Sequence, residues 1–222
     1  MGSPLSPLDP RTRRFEKIWN TYVRVRLRWA GRMLYASYWA NRVLDEPHGP
    51  HQYVELQASS HVLMDEVVRH ASGPGAPILD LGCNVGRHLN ALYKRGFTSL
   101  YGVDVQRQAF EHMEAVFPDM KAMAHVEPGT FQDYLPRVPD RFFEVVFTHG
   151  KTIELIPPSF PICRHMARAA GKAVVVVINE NGYPFPRLWE TEFTRAGFVL
   201  TKLLRPVVPG ETNSLLVFEP MT

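Results

Sequence analysis

Cysteine is scarce in this chain, and long apolar runs are absent. Cys83 and Cys163 are the only cysteines among 222 residues, too few for the disulfide framework of a small secreted protein. The longest apolar run, residues 173–178, falls far short of the roughly 18 to 20 residues that cross a bilayer. The N-terminus also lacks the apolar core and cleavage site of a secretory signal. These absences predict a cytoplasmic protein without a transmembrane segment.

The chain as a whole also lacks an excess of charge of one sign. The formal net charge is +3, too small to indicate a nucleic-acid-binding protein. Residues 11–32 are the exception, with eight basic side chains against one acid, Glu16, and aromatic residues between them. One interpretation is an arm that binds nucleic acid or a membrane surface. The other is an amphipathic helix that packs its aromatic side on the domain and leaves its arginines in water.

The first 75 residues precede the regular part of the chain. Residues 1–10 contain three prolines and are predicted to be a disordered leader. Residues 11–75 are predicted to be a helical extension, or lid, with helices over about 11–44 and about 59–71. The second of these helices is expected to begin with serine caps. Residues 76–222 form the predicted core.

From residue 76 onward, short apolar runs alternate with helical patterns. This alternation is typical of an α/β fold with a mostly parallel sheet covered on both faces. The last two strands are joined by residues 206–213, too few for a crossover helix, so we expect an antiparallel hairpin. The predicted strands are Pro77–Leu81, Ser99–Val105, Lys121–Val126, Phe142–Thr148, Lys172–Asn179, Phe198–Leu204 and Ser214–Phe218, and the predicted helices are Arg87–Lys94, Gln106–Phe117, about Pro158–Ala170 and Phe185–Ala196.

One stretch of this core predicts a ligand site. The sequence ILDLGCNVG, residues 78–86, runs from an apolar strand into a glycine turn that opens a helix. Gly82 and Gly86 permit a sharp turn and the close approach of a ligand. The next strand ends at Asp104, 22 positions after Gly82, where a carboxylate can accept both hydrogen bonds of a ribose diol. Together these residues predict a nucleotide-like ligand at the carboxyl end of the first strand.

A dinucleotide site is the competing interpretation of this turn. Its fingerprint requires a middle glycine that leaves room for the pyrophosphate, and Asn84 occupies that place. Asp80 would also repel a dianionic ligand, whereas it would attract one that carries an ammonium group and a sulfonium. The residues therefore favour S-adenosylmethionine over NAD. An α/β domain without a ligand here is the third interpretation.

At these residues the chain resembles a known superfamily. Residues 80–86, Asp-Leu-Gly-Cys-Asn-Val-Gly, resemble the first motif of class I S-adenosylmethionine-dependent methyltransferases. Gly102-Val103-Asp104 resembles their acidic second-strand motif, and the resemblance extends over about residues 76–219. It implies a Rossmann-like sheet of seven strands in the order 3-2-1-4-5-7-6, with strand 7 antiparallel. It also implies S-adenosylmethionine as the cofactor and methyl transfer as the reaction.

The resemblance further implies which residues bind the cofactor. Asp104 would hold the ribose hydroxyls, and Val105 would lie against the adenine. Thr130 and Phe131, after the third strand, match positions beside the adenine ring, and Thr148 belongs to the fourth-strand motif. In the lid, Trp39 or Arg42 is expected near the cofactor. The residues implied around the methionine part are Asp80, Gly82, Cys83, Asn84 and Gly86.

The candidate catalytic residue is His149, at the carboxyl end of the fourth strand. Methyl transfer needs a base only when the nucleophile must lose a proton, and His149 is the best-placed group for that role. Contact with the cofactor, or packing beneath it, is the alternative for His149. We expect Glu154 to be solvated or to cap a helix. No metal site is predicted, because the Cys and His residues lack zinc-ligand spacing and no carboxylate cluster indicates magnesium.

The methyl acceptor stays open among three hypotheses. The first is an oxygen or nitrogen atom of a small molecule, such as a secondary metabolite or a sugar-related compound. The second is RNA or a protein, reached through the basic N-terminal arm. The third is a binding protein that keeps the cofactor pocket without catalysis. The sequence leaves open whether the protein is a monomer or a homodimer.

Overall fold

The computed structural model describes residues 49–150, 152–179, 185 and 187–221. The predicted leader and the first predicted helix of the lid, with Trp39 and Arg42, lie outside these residues. The described part of the chain contains seven strands. They are β1 (Ile78–Leu81), β2 (Leu100–Asp104), β3 (His125–Pro128), β4 (Phe143–His149), β5 (Ala170–Ile178), β6 (Phe198–Leu204) and β7 (Ser214–Pro220).

Helices precede the sheet and lie between its strands. None of those in the described residues is both long and apolar enough to span a membrane, and the cytoplasmic location stays a prediction. The α-helices are α1 (Ala58–His70), α2 (Arg87–Lys94), α3 (Arg107–Val116), α4 (Pro118–Met123), α5 (Phe131–Tyr134), α6 (Ile162–Ala169) and α7 (Trp189–Arg195), and short 3-10 turns occupy Pro50–Tyr53, Leu135–Arg137 and Ile153–Leu155.

The seven strands form one sheet in the order β3-β2-β1-β4-β5-β7-β6. β7 runs antiparallel to both β5 and β6, and the other pairs are parallel. This confirms the predicted Rossmann-like α/β fold, including the closing hairpin. The order follows from the connections, because helices cross between the parallel strands while a short loop joins the last two.

The register of the central strands brings the candidate site together. Asp80 of β1 pairs with Gly102 of β2 on one side and with Phe147 of β4 on the other. Gly82, Asp104 and His149 each follow one of these three paired residues by two positions, so they lie next to one another at the carboxyl ends of β1, β2 and β4. The sheet thus places three of the predicted site residues at one edge.

The third strand differs from its prediction. A strand was expected over Lys121–Val126, but α4 extends to Met123 and β3 begins at His125. Pro118 stands in the first turn of α4, where its fixed φ and missing N–H favour a helix start. Burial of Met120 then anchors this short helix on the core. The strand prediction was wrong for residues 121–123.

Both faces of the sheet are covered by apolar side chains. Along β5, Val174 and Val176 point into one buried cluster, while Val175 and Val177 point into the other. The alternation follows from the two-residue period of a strand. Because both faces are buried, the strand sequence is apolar throughout, as expected for a parallel sheet covered by helices.

The closing hairpin depends on an aromatic contact that can be tested. Phe193 of α7 stacks on Phe218 of β7 with ring centroids 4.2 Å apart, and both side chains are fully buried. We predict that Phe193→Ala lowers the free energy of unfolding by about 3 to 5 kcal/mol, through lost burial and the cavity left behind. Urea denaturation measures this loss. Phe142→Ala, at a ring that is 42% exposed, should cost about 1 kcal/mol or less, and equal losses would contradict the prediction.

Candidate functional site

The turn after β1 has a left-handed backbone at three positions. Gly82, Asn84 and Gly86 have φ values of 83°, 45° and 78°. Glycine adopts this region without strain, and asparagine tolerates it better than most residues. The alternation of these residues therefore lets the chain reverse tightly between β1 and α2, as the sequence motif predicted.

Gly82 is also required by a close approach. A Cβ atom added here would lie 2.4 Å from Thr152 Cγ2, a distance that forces a shift. Thr152 belongs to the loop after β4, and its hydroxyl donates to the carbonyl of His149 at 3.1 Å. The missing side chain therefore allows the loop after β4 to pack against the turn after β1.

Asp104 ties the turn after β1 to the end of β2. Its carboxylate accepts the backbone N–H of Asn84 at 3.0 Å and that of Gln106 at 2.9 Å. The Asn84 side-chain amide donates to Gln106 Oε1 at 2.9 Å. Desolvation raises the pKa of Asp104 to about 6, against the opposing effect of these backbone donors. The backbone N–H of Val105 also favours the ionised form. A carboxylate has about four lone-pair sites, so Asp104 keeps acceptor capacity for a ribose hydroxyl.

Asp80 is a buried carboxylate without a hydrogen-bond partner among the described residues. Its exposure is 0%, and neither oxygen accepts a hydrogen bond. The Nδ1 atom of His88 lies 3.5 Å from Asp80 Oδ2. Burial raises the pKa of Asp80 to about 8, with a smaller lowering effect from Arg87. A buried carboxylate of this kind is stabilised by a positive charge, which fits the cationic methionine end of S-adenosylmethionine.

His149 ends β4 beside this cluster. Its Nε2 lies 3.0 Å from Ser59 Oγ, and its ring centroid lies 5.1 Å from that of His88. Burial, followed by the charges of His88 and Arg87, lowers the pKa of His149 well below its usual range. The imidazole is therefore neutral at pH 7 and keeps a lone pair. A neutral ring can accept or donate a hydrogen bond, but it adds no charge to the site.

Other predicted cofactor residues have their side chains occupied within the protein. The hydroxyl of Thr148 donates to the carbonyl of Leu81 at 2.7 Å and crosslinks β1 to β4. Cys83 Sγ packs over Gly102, and Met120 Cε packs over Gly86. Contact of Thr148, Cys83 and Gly86 with the cofactor stays a prediction. For Cys83 and Gly86 that contact would use the backbone.

The residues after β3 also have structural roles. Thr130 caps α5, accepting the N–H of Asp133 at 3.2 Å and donating its hydroxyl to the Asp133 carboxylate. Phe131 lies in the core at 8% exposure, and Val105 is half-buried beside Asp104. These observations do not test contact with an adenine ring. Capping of α5 is a sufficient reason for a threonine at position 130, and core packing is a sufficient reason for a phenylalanine at position 131.

Three polar residues that the sequence did not place at the site, Ser59, Ser60 and His88, lie around Asp80 and His149. Ser59 and Ser60 were predicted to be helix caps. Gln57 is the N-cap of α1, and Ser60 completes its capping box by accepting the Gln57 N–H. Both serines are also fully buried. Ser60 Oγ lies 3.1 Å from His88 Nε2, and Ser59 Oγ lies 3.0 Å from His149 Nε2. A pair of serines at a helix start is so common that sequence alone gave no signal for these contacts.

Glu154 differs from its predicted environment as well. It was expected to be solvated or to cap a helix, but its exposure is 0%. Its Oε1 accepts the backbone N–H of Asn179 at 2.8 Å. The carboxylate therefore joins the loop after β4 to the end of β5, and the solvated interpretation was wrong.

The sheet order and these strand ends define the class of protein. A left-handed glycine turn after the first strand, with a carboxylate at the end of the second, is the arrangement by which doubly wound α/β proteins bind an adenosine-type ligand. The buried carboxylate beneath that turn favours a cationic ligand.

The comparisons with known proteins point to methyltransferases. Residues 78–173 match the model of a methyltransferase domain family. This stretch of the chain is therefore similar to a methyltransferase domain, and the sheet order is that of the Rossmann-like methyltransferase fold. No curated protein sequence matches the chain significantly.

Solved structures with the same fold cover nearly the whole chain. A TehB-like S-adenosylmethionine-dependent methyltransferase from Corynebacterium glutamicum is 18% identical, with a TM-score of 0.56, over 95% of this chain and 98% of that one. Magnesium protoporphyrin IX methyltransferase from Synechocystis, solved with bound S-adenosylmethionine, is 14% identical, with a TM-score of 0.59, over 99% and 100%. A putative sarcosine dimethylglycine methyltransferase from Galdieria sulphuraria is 11% identical, with a TM-score of 0.62, over 90% and 98%.

The raised pKa of Asp80 predicts how the stability of the free protein depends on pH. The ordinary pKa of this carboxyl is 3.8, and its pKa in the fold is about 8. Between these values the folded state holds a proton that the unfolded chain has released, so stability falls as the pH rises. Between pH 6 and 8 we expect Asp80→Asn to remove a fall of roughly 2 kcal/mol, measured by urea denaturation without cofactor. Asp104 titrates mainly below this window. An equally steep fall in the variant would contradict the assignment to Asp80.

The position of Asp104 predicts a loss of cofactor affinity. Asp104→Ala removes the predicted ribose acceptor and releases the N–H groups of Asn84 and Gln106. The affinity for S-adenosylmethionine should fall by about 1.5 to 3 kcal/mol, roughly 10- to 150-fold, in calorimetric titration. Glu114→Ala, which removes an equal charge from an exposed site on α3, should leave the affinity unchanged. Unchanged binding in Asp104→Ala would place the cofactor elsewhere.

Proposed function

We propose that the protein transfers the methyl group of S-adenosylmethionine to an oxygen or nitrogen atom of a small molecule. The observation that carries this proposal is the neutral, half-buried imidazole of His149 at the carboxyl end of β4. It lies at the strand end next to the turn that carries Gly82. In that place it can orient an acceptor atom, and accept a proton from an acceptor that must lose one.

The cofactor would lie across the ends of β1 and β2. Asp104 would accept the ribose hydroxyls, and Asp80 would face the positively charged methionine end. When bound, S-adenosylmethionine supplies an electrophilic methyl carbon with a neutral sulfur leaving group. The protein then has to hold the acceptor in line with that carbon and exclude water, a task that suits the packed loop after β4.

The charges at this edge favour a small molecule over a polyanion. The strand ends carry Asp80, Asp104, His149 and Asn179, and recognition of phosphate chains depends on lysine and arginine. The arginine beside these groups, Arg87, is only 7% exposed and donates to the carbonyl of Glu55 at 3.0 Å. Two similar structures are named for small-molecule acceptors, magnesium protoporphyrin IX and sarcosine or dimethylglycine.

RNA or a protein is the second candidate acceptor. The observation that favours it is the charge of residues 11–32, with eight basic side chains and one acid. This segment lies outside the described residues. A similar structure from Haloferax volcanii contains a methyltransferase bound to the Trm112 methyltransferase activator.

Transfer of labelled methyl groups separates these candidates. The protein is incubated with methyl-labelled S-adenosylmethionine and an extract of the source cell, divided into small-molecule, RNA and protein fractions. We expect label in the small-molecule fraction, and none when Asp104→Ala replaces the wild type. Label confined to RNA or protein would refute the proposal, and absence of transfer together with micromolar cofactor binding would indicate a non-catalytic protein.

The role of His149 predicts a selective loss of turnover. His149→Gln keeps a polar side chain but cannot act as a base, so the methyl-transfer rate should fall about 10²- to 10⁴-fold. The affinity for S-adenosylmethionine should change by less than about threefold. His61→Gln, at an exposed histidine of α1, is the matched control and should retain full activity. A rate equal to wild type in His149→Gln would exclude a base at this position.

A further inference from the structure

Two consecutive serines of α1 each contact a different histidine of the site. Ser59 Oγ lies 3.0 Å from His149 Nε2, and Ser60 Oγ lies 3.1 Å from His88 Nε2. Both serines have 0% exposure. The histidine held by Ser60 is the one that faces Asp80, with Nδ1 at 3.5 Å from Oδ2. Ser60, His88 and Asp80 therefore form a continuous buried chain of polar groups from α1 to β1.

The hydrogen bonds of Ser60 assign the direction of this chain. Its hydroxyl oxygen accepts the backbone N–H of Gln57 at 3.3 Å, so its hydrogen is left to donate. His88 Nε2 is the acceptor within reach, and burying an unpaired hydroxyl would be costly. Burial and the charge of Arg87 lower the pKa of His88 well below its usual range, so the ring is neutral. A neutral imidazole that accepts at Nε2 carries its hydrogen on Nδ1, the nitrogen that faces Asp80.

This N–H faces a carboxylate that has no hydrogen-bond partner among the described residues. Neither oxygen of Asp80 accepts a hydrogen bond, and His88 Nδ1 lies 3.5 Å from Oδ2, so the two groups are in electrostatic contact without being hydrogen-bonded. Three other titratable or charged groups interact electrostatically with Asp80. They are Arg87 of α2, Cys83 of the turn and Asp104 of β2. Cys83 is a neutral thiol because burial raises its pKa far above the usual range. Arg87 and the His88 N–H thus favour the ionised form of Asp80, and Asp104 opposes it.

We propose that Ser60 is a positioning residue for cofactor binding: it holds His88 with Nδ1–H toward Asp80 and so favours the carboxylate that receives the positive methionine end of S-adenosylmethionine. The inference rests on the proposed placement of the cofactor beside Asp80. It extends that function by giving the first turn of α1 a part in cofactor affinity. Ser60 acts through His88 and need not touch the cofactor.

The pH dependence of cofactor binding tests this inference. Calorimetric titration with S-adenosylmethionine should show affinity rising with pH as Asp80 ionises in the free protein. In Ser60→Ala the His88 N–H is no longer directed at Asp80, so the midpoint should move up by about one pH unit. Below the midpoint the Kd should be about tenfold weaker than in the wild type, and at high pH the two should converge. His88→Phe, which keeps a ring but no donor, should show the same shift.

The neighbouring serine supplies a matched control. Ser59→Ala removes an equally buried hydroxyl from the same helical turn. That hydroxyl contacts His149 instead of His88. Its binding curve should overlay that of the wild type, and Ser60→Thr, which restores a hydroxyl, should return the midpoint toward the wild-type value. A loss of packing in α1 would affect Ser59→Ala and Ser60→Ala alike, and it would lower affinity at every pH. Such a result would overturn the inference.

Nitrogen-15 NMR of the wild type, bound to S-adenosylhomocysteine, tests the same point without any variant. We expect the hydrogen of His88 on Nδ1, and a hydrogen on Nε2 would refute the proposal. Asp80→Asn separates this inference from the proposed function. If Asp80→Asn binds S-adenosylmethionine like the wild type at all pH values, the placement of the cofactor fails. If it abolishes the midpoint while Ser60→Ala and His88→Phe leave it unchanged, only the role of Ser60 fails.

Discussion

The hydrogen bonds of Asp104 hold together the two strand ends on which the site depends. By accepting the N–H groups of Asn84 and Gln106, one carboxylate fixes the left-handed turn after β1 relative to the end of β2. Both donors are backbone groups that the strand ladder leaves free at its end, and an unpaired N–H there would be costly. The same side chain thus stabilises the turn and remains able to accept a ligand hydroxyl, which links the fold directly to cofactor recognition.

Beneath that turn, the protein retains polar groups that its core would otherwise exclude. Asp80, His88 and the serines of α1 are all buried, and burial shifts the pKa of Asp80 upward and those of both nearby histidines downward. Each shift favours the neutral form, so these buried groups avoid an uncompensated charge. A cationic ligand changes that balance in favour of the Asp80 carboxylate. The methionine end of S-adenosylmethionine carries this kind of charge, which gives a physical reason for an acid at this position.

Features that depend on neighbouring residues could be predicted from the sequence, whereas features that depend on distant residues could not. The turn of residues 82–86 and the carboxylate at residue 104 could be placed because they follow from local backbone geometry and strand order. The helix over residues 118–123 was missed because its sequence pattern also suits a strand. The packing of Met120 against Gly86 favours the helix in the folded protein. Glu154 was expected in solvent because buried glutamates are rare. Its backbone partner, Asn179, is 25 positions away in the chain.

The sequence by itself determined the succession of the seven strands along the chain, the glycine turn and the acid that follows it, because each depends on residues close together in the chain. Only the tertiary structure decided which polar groups meet around Asp80. Ser60 and His88 are 28 positions apart, and Ser59 and His149 are 90 apart. Contacts of this range depend on how α1 packs against β4, β5 and α2. Side-chain packing of that kind leaves no periodic pattern in the sequence. A serine at a helix start looks the same in the sequence whether or not its hydroxyl contacts a distant histidine.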